Sequence, residues 1–505
     1  MTDVSLCLVS HTNAGKTTLA RTLLRRDIGE IADRAHVTEL AERHELIAAG
    51  DDALYLWDTP GFGDSVRLLG RLRATDRPLA NPIGWFLSAV WDRYADRPFW
   101  CSQQAMKSAR DEADLVLYVA NAAEDPASAA YVDPELEILA WLGKPVLVLL
   151  NQLGTAADAA VLHEDVRRWE AVASRHPVVR GVLPFDAFAR CWVQEHVLLA
   201  SLAPHVPDDR RAAWARLAEA WRERDLTVLR RSADVLAAQL APLAADRESL
   251  APATMSDRAR GWLDRLAGRE TRDLAAAAAE AALAERLDAL VRRSTEELVR
   301  LHGLTGRASG EILQRLGHEF ETARAVDAGS ATAFGGLVSG ALGGLAADVA
   351  AGGLTLGAGA LLGGVLGALG ARGVAQAYNV ARGSDSGRVA WSAEFLHGRV
   401  LAALARYLAV AHFGRGRGDY VDGSLPEAWR PVLRQAVDER HEAWAAAWRE
   451  AQQEGGVEGA RRRLEPELRA ALIAVLVELY PASAGAFAGG TAGREASAPA
   501  DADAT

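Results

Sequence analysis

The stretch LCLVSHTNAGKTTLARTLL, Leu6–Leu24, joins an apolar run to a helix-like run through a short polar loop. Ser10–Thr17 fits the phosphate-loop pattern G-x-x-x-x-G-K-[ST], except that Ser10 stands where the first glycine belongs. A loop between a buried strand and a helix starting near Gly15 aims free backbone N–H groups and the positive helix end at one point, which favours bound phosphate. The expected contacts are Ser10, Asn13, Ala14, Gly15, Lys16, Thr17 and Thr18. Lys16 is expected to reach the terminal phosphates and the Thr17 hydroxyl to coordinate Mg²⁺. Gly15 lets the backbone approach where a Cβ would obstruct it. Ser10 is small, so its presence costs little unless the turn needs positive φ.

Outward from this loop, Val4–Val9, Leu54–Trp57, Leu115–Ala120 and Val146–Leu150 read as buried strands, with Val182–Phe185 as a weaker last one. Each precedes a turn-rich loop and then a helical pattern. The fold class expected is an α/β P-loop domain: a mostly parallel sheet with helices on both faces. Gly50-Asp51-Asp52 suits a hairpin and hence one antiparallel edge pair. The strand in ALYLWDTPGFGDS delivers Asp58, expected to hold Mg²⁺ through water, and the Gly61 amide is placed to sense a γ-phosphate. Thr38, in DRAHVTEL, is the candidate switch threonine that completes the metal shell. Lys16, Thr38, Asp58 and Gly61 form the expected catalytic set.

With the loop, the D-T-P-G and the strand order in place, the first two hundred residues resemble small GTPases of the Era/TrmE type. The resemblance implies GTP or GDP as ligand, Mg²⁺, and GTP hydrolysis. Asn13 matches the family's G-x-x-N-x-G-K-[ST], which implies a K⁺ ligand; the alternative is that it only caps the turn. Phe62 follows Gly61 where Ras-like enzymes carry a water-orienting glutamine, so a slow intrinsic rate is expected. Asp64 is the nearest group able to act on water. The family's N-K-x-D base motif becomes Asn151-Gln152-Leu153-Gly154, so the lysine and the guanine-gripping aspartate are replaced. Guanine remains the expected base, with selectivity weakened and with Asp158 and Gln152 as candidates to compensate. LPFDAF, Leu183–Phe188, is the nearest placement of the loop that closes over the base.

A chain of 505 residues calls for two or three domains. The boundaries expected are a G domain over 1–203 with an aromatic-rich insertion at about 66–110, a helical region over 204–325, a glycine-rich apolar hairpin over 326–378, a second helical region over 379–480 and a disordered tail over 481–505. In the insertion, Trp85, Phe86, Val90 and Tyr94 would form an aromatic helix face. That face packs on the C-terminal helices or is offered to a protein partner in one nucleotide state.

Phe334–Gly370 holds one ionisable residue, Asp348. Gly336, Gly340 and Gly344, then Gly359, Gly363 and Gly367, repeat every four residues, the small-xxx-small spacing of packed membrane helices. Val349–Ala371 is uncharged and roughly 34 Å long as a helix, enough to cross a bilayer. Membrane association, burial in the helical domain and homo-oligomer packing are the three readings. Arg324 and Arg372 flank the segment as cytoplasmic ends would. The net charge of −11 argues against nucleic acid as the main partner. Three scattered cysteines form no metal or disulfide pattern, and residues 1–20 show no export signal, so the expected location is cytoplasmic, peripheral or hairpin-inserted at the inner membrane.

The function expected is a slow GTPase switch controlling the helical region. The alternatives are a nucleotide-holding scaffold that does not hydrolyse, or an NTPase of relaxed base specificity that also uses ATP.

Overall fold

The computed structural model describes residues 2–25, 40–73, 82–88, 96–153, 159–187, 191–249, 274–304, 388–412 and 429–488. These fall into two compact units. One comprises Met1–Leu226 with Ala411–Tyr420 and Tyr480–Thr505, the other Thr227–Val410 with Val421–Leu479.

In the first unit, β1 (Thr2–Val9), β2 (Glu42–Ala49), β3 (Asp52–Asp58), β4 (Leu115–Asn121), β5 (Val146–Asn151) and β6 (Val179–Pro184) form one sheet in the order β2-β3-β1-β4-β5-β6. All neighbours are parallel except β2 and β3, whose hairpin turns at Gly50 with φ 61°. Strand alternation sorts the apolar residues into two layers. Val4, Leu6, Leu8, Leu117 and Leu149 face one core, with Leu19 and Leu23 of α1 (Lys16–Leu24), Leu198 and Trp221. Cys7, Val9, Tyr118, Val148 and Leu150 face the other, with Leu68, Phe86, Phe99, Met106, Leu136 and Trp169.

The second layer belongs to α2 (Ser65–Arg73), α3 (Pro82–Ser88), α4 (Arg97–Asp111), α5 (Val132–Leu142) and α6 (Ala159–Ala173). The first belongs to α1, α7 (Val193–Leu202) and the start of α8 (Arg211–Ala245). Helices thus cover both faces, as parallel strands require.

Of the aromatic helix face expected in the insertion, one side chain is described. Phe86 is fully buried among the residues under the sheet of its own unit, and Gln103 Nε2 donates to its carbonyl at 2.8 Å. Phe86 therefore packs within its own unit. Val90, Tyr94 and the Trp85 side chain lie outside the described residues.

Arg25, which closes α1 with φ 55°, donates to Glu195 of α7 at 3.1 Å and to Asp225 of α8 at 2.7 Å. Both carboxylates are buried. Burial alone would raise Asp225, but Arg25, His196 and Arg224 hold it well below the ordinary carboxylate range.

The second unit is largely helical. It contains the rest of α8, α9 (Leu274–Leu301), α10 (Ala393–Ala411), α11 (Trp429–Asp438), α12 (His441–Ala451) and α13 (Val457–Leu479). It also holds an antiparallel ribbon of β7 (Arg247–Ser249) and β8 (Arg388–Ala390), which the all-helical reading did not contain. Strands this short, far apart in the chain, leave no periodic signature. Arg406 of α10 is buried and donates to Ser294 of α9 at 3.1 Å and to Gln239 of α8. Arg399, one heptad earlier on α10, is also buried, and its Nε has no hydrogen-bond partner. The expected glycine-rich hairpin, 326–378, lies outside the described residues, as do residues 489–505 of the expected tail, whereas its first residues, Pro481–Ala486, form a 3-10 helix rather than a disordered end. No described helix is long and apolar enough to cross a membrane.

Candidate functional site

The loop after β1 enters α1 at Lys16, with Gly15 as N-cap at φ 89°. A Cβ on Gly15 would lie 2.4 Å from Asn151 Nδ2, so both the backbone conformation and the space call for glycine. Asn13 is also left-handed, at φ 66°, which asparagine tolerates better than most residues, and it is exposed. Ser10 has no positive φ, so its replacement of glycine carries no backbone penalty.

Ser10 has a partner instead. Lys16 Nζ donates to Ser10 Oγ at 2.7 Å, and Ser10 Oγ donates to the His11 carbonyl. Lys16 is buried; burial lowers its pKa, while Asp58 and Glu135 pull the other way. Thr18 is buried on the inner side of α1.

Asp58 ends β3, and Thr17 Oγ1 donates to its Oδ2 at 2.7 Å. The other oxygen, Oδ1, is buried without a hydrogen-bond partner. Burial pushes the Asp58 carboxyl up to about 6, against the Thr17 bond and the Lys16 charge. An orphaned carboxylate oxygen beside a hydroxyl is a hard oxygen pair. It fits Mg²⁺, which is typically held by one or two carboxylates with phosphates and water rather than by a full protein cage. Among the described residues no group of three or more His, Cys, Asp or Glu could hold a metal. Thr38 lies outside the described residues.

The D-T-P-G turn packs directly on this loop. Thr59 Oγ1 donates to the Leu8 carbonyl at 2.6 Å, tying the ends of β1 and β3 together. A Cβ on Gly61 would meet Thr12 Cα at 2.9 Å and Lys16 Nζ at 3.1 Å. The Phe62 N–H donates to the Ser10 carbonyl at 2.8 Å, while its ring is wholly buried and so has no access to water. Asp64 Oδ1 accepts the Arg67 N–H at 3.0 Å, capping α2.

At the other end of the loop, Asn151 is wholly buried. Its Nδ2 donates to the Ala14 carbonyl at 2.9 Å, and its Oδ1 accepts the Ala187 N–H at 2.8 Å. Gln152 has φ 59°, and its Nε2 is 3.8 Å from the Cβ position of Gly15. Gly154 and Asp158 lie outside the described residues.

Two features escape a reading of the sequence. His11 Nδ1 pairs with Glu135 Oε1 of α5 at 2.8 Å, its ring stacks on Tyr131 at 4.0 Å, and Tyr118 Oη donates to Glu135 Oε2 at 2.7 Å. Glu135 is buried, which raises its pKa, while His11 and Tyr118 oppose the rise. The signal was a lone acid on the apolar face of PELEILAWL. The second is Asp186 in the expected closing loop, whose Oδ2 accepts the Leu153 N–H at 2.9 Å.

Residues 178–478 match the family model described as a domain of unknown function, DUF3482, and residues 5–152 match the model described as 50S ribosome-binding GTPase. No curated protein matches the chain. Among solved structures, the chain is similar to a variant of Aquifex aeolicus Era bound to GDP·AlF₄⁻, at 19% identity over 41% of this chain and 58% of that one, TM-score 0.31. It is similar to Era in complex with MgGDPNP and a 16S ribosomal RNA segment, at 18% identity over the same shares, TM-score 0.31. S. thermophilus NFeoB bound to GDP·AlF₄⁻ and K⁺ follows, at 16% identity over 42% of this chain and 77% of that one, TM-score 0.22. The chain thus spans 58% of the length of each Era structure.

Proposed function

We propose, for a chain that belongs to the DUF3482 family and carries a GTPase-type P-loop domain at its front, a guanine-nucleotide-binding switch that hydrolyses GTP slowly. The observation that carries the reading is the pairing of Thr17 with Asp58 beside Lys16, with one Asp58 oxygen buried and without a donor.

The amides at the start of α1 and the Lys16 ammonium hold the terminal phosphates. Thr17, Asp58 and Thr38 would hold Mg²⁺, which would supply positive charge against the phosphates. Gly61 offers its amide to the γ-phosphate, and its lack of a side chain keeps it against Thr12 and Lys16. Asn13, exposed at the loop's turn, is the K⁺ ligand by resemblance. With Phe62 buried, no side chain at that position orients water, which suits a slow reaction.

Hydrolysis then changes what the residues around Gly61 contact, and the helical region responds. Its partner is a protein or a membrane met by the glycine-rich segment 334–371. The test is GTP turnover by intact protein with Mg²⁺ in K⁺ and in Na⁺, beside Lys16→Ala. Turnover faster in K⁺ and absent from the variant is expected. Equal release of phosphate by both proteins would defeat the enzyme reading. The buried Phe62 also favours a second reading, a scaffold that holds nucleotide without turnover, for which both proteins would show none while wild type alone binds GTP.

A further inference from the structure

Glu135 is a wholly buried carboxylate on the apolar face of α5, beside Val132, Leu136 and Leu139. A charge in such a place is often no better for stability than an apolar side chain of its size. Its two oxygens instead hold other groups. Oε1 pairs with His11 Nδ1 at 2.8 Å, and Oε2 accepts the Tyr118 hydroxyl at 2.7 Å. Tyr118 stands opposite Val9, the last residue of β1, so the carboxyl is fixed from the sheet itself. Tyr131 stacks on the imidazole at 4.0 Å with the planes 17° apart, and its own hydroxyl donates to Glu124. The imidazole is thus gripped on one edge and on one face.

His11 lies where the two halves of the site meet. Its carbonyl accepts the Ser10 hydroxyl that holds Lys16 Nζ, and its backbone bridges to Phe62, the residue after Gly61. The Phe62 N–H bonds the Ser10 carbonyl at 2.8 Å. A shift of His11 therefore moves the seat of Lys16 and the Gly61 turn together, the two groups assigned to the terminal phosphate. The amides at the mouth of α1, which cradle the inner phosphates, follow Ala14, whose carbonyl Asn151 ties separately at 2.9 Å.

We propose that Glu135 is a positioning residue for hydrolysis of the terminal phosphate. Through His11 it fixes Lys16 and the Gly61 amide where the γ-phosphate needs them, and it contributes little to holding the diphosphate. The inference rests on the GTP-hydrolysing reading above. Groups that stabilise a transition state must be placed closely, and a displacement of about 1 Å costs on the order of a hundredfold in rate.

The experiment measures single-turnover phosphate release from GTP by intact protein in excess, with Mg²⁺ and K⁺, beside GDP affinity by calorimetry. Glu135→Leu, apolar and of similar size, slows release about tenfold or more and leaves GDP affinity within about threefold. His11→Phe keeps the stack on Tyr131, lacks the nitrogen and loses rate equally; it serves if the first variant does not fold. The double variant is no slower than either single one, because both remove the same interaction. Glu135→Gln keeps an acceptor for the imidazole N–H and a donor for the Tyr118 oxygen, and recovers most of the rate.

Release by Glu135→Leu and His11→Phe within about threefold of wild type overturns this inference and leaves the GTP site standing. A loss of GDP affinity as large as the loss of rate overturns it too, since a merely structural role would give that. Losses that multiply in the double variant do the same. No phosphate release by wild type defeats the underlying hydrolysis reading and this one with it.

Discussion

Removing the Asn151 side chain should damage both the fold and the site, because one buried amide joins three loops. In Asn151→Ala the Ala14 carbonyl and the Ala187 N–H lose their partners, at 2.9 and 2.8 Å, in a position with 0% exposure. A buried polar group left unpaired costs about 1–3 kcal/mol, so the two together cost about 2–6 kcal/mol, depending on how much water enters. For a unit of this size that corresponds to a fall of roughly 5–15 °C in the thermal midpoint. The loop also loses the contact that fixes its backbone just before Gly15, so GTP affinity should fall at least tenfold. Differential scanning calorimetry of the first transition, with nucleotide titration alongside, reads both effects. A midpoint within about 2 °C of wild type, with affinity unchanged, would refute the claim that Asn151 holds the loops together.

Ser10→Ala removes the hydroxyl that accepts from Lys16, a bond to a charged group worth about 1.5–3 kcal/mol. The unliganded protein should melt earlier while triphosphate affinity rises about tenfold in titration; a fall in affinity would mean that Ser10 binds phosphate itself. Arg399→Met replaces a buried guanidinium whose pKa burial pushes down to about 10, with no carboxylate among the described residues acting on it. Exchanging such a buried ion for an apolar side chain of similar length should raise the midpoint, by about 1–4 kcal/mol in stability, whereas a loss would reveal an anionic partner. Arg25→Met leaves Glu195 and Asp225 buried with one cation fewer, and should cost about 3–5 kcal/mol in urea unfolding. A change below about 1 kcal/mol would show that Arg224 and His196 suffice.

What could be read in advance was whatever local pattern dictates. The apolar run before Ser10, the glycine at the mouth of α1 and the turn at Gly50 each declare their geometry within a few residues, and the sheet follows from them. Lys16, Thr17 and Asp58 were nameable because two short motifs bring them together across the neighbouring strands β1 and β3. The residues that escaped notice act through partners distant in the chain. His11 needs Glu135, and Leu153 needs Asp186; neither pairing has a spacing that a motif can hold. Ser10 showed the limit of pattern in another way. The departure from glycine looked like a tolerated defect, while the structure makes it the partner of the lysine. Asn151 was expected at the base, and its visible bonds run to the backbone of two loops.

The central claim is that the mouth of α1, with Lys16, Thr17 and Asp58, encloses a guanine nucleotide's phosphates with Mg²⁺. Calorimetric titration of intact protein with GTP, in buffer containing Mg²⁺, tests it most directly. The account predicts saturable binding to one site per chain that weakens in EDTA and vanishes in Lys16→Ala. Flat heats from wild type, or binding that Lys16→Ala retains, would contradict it.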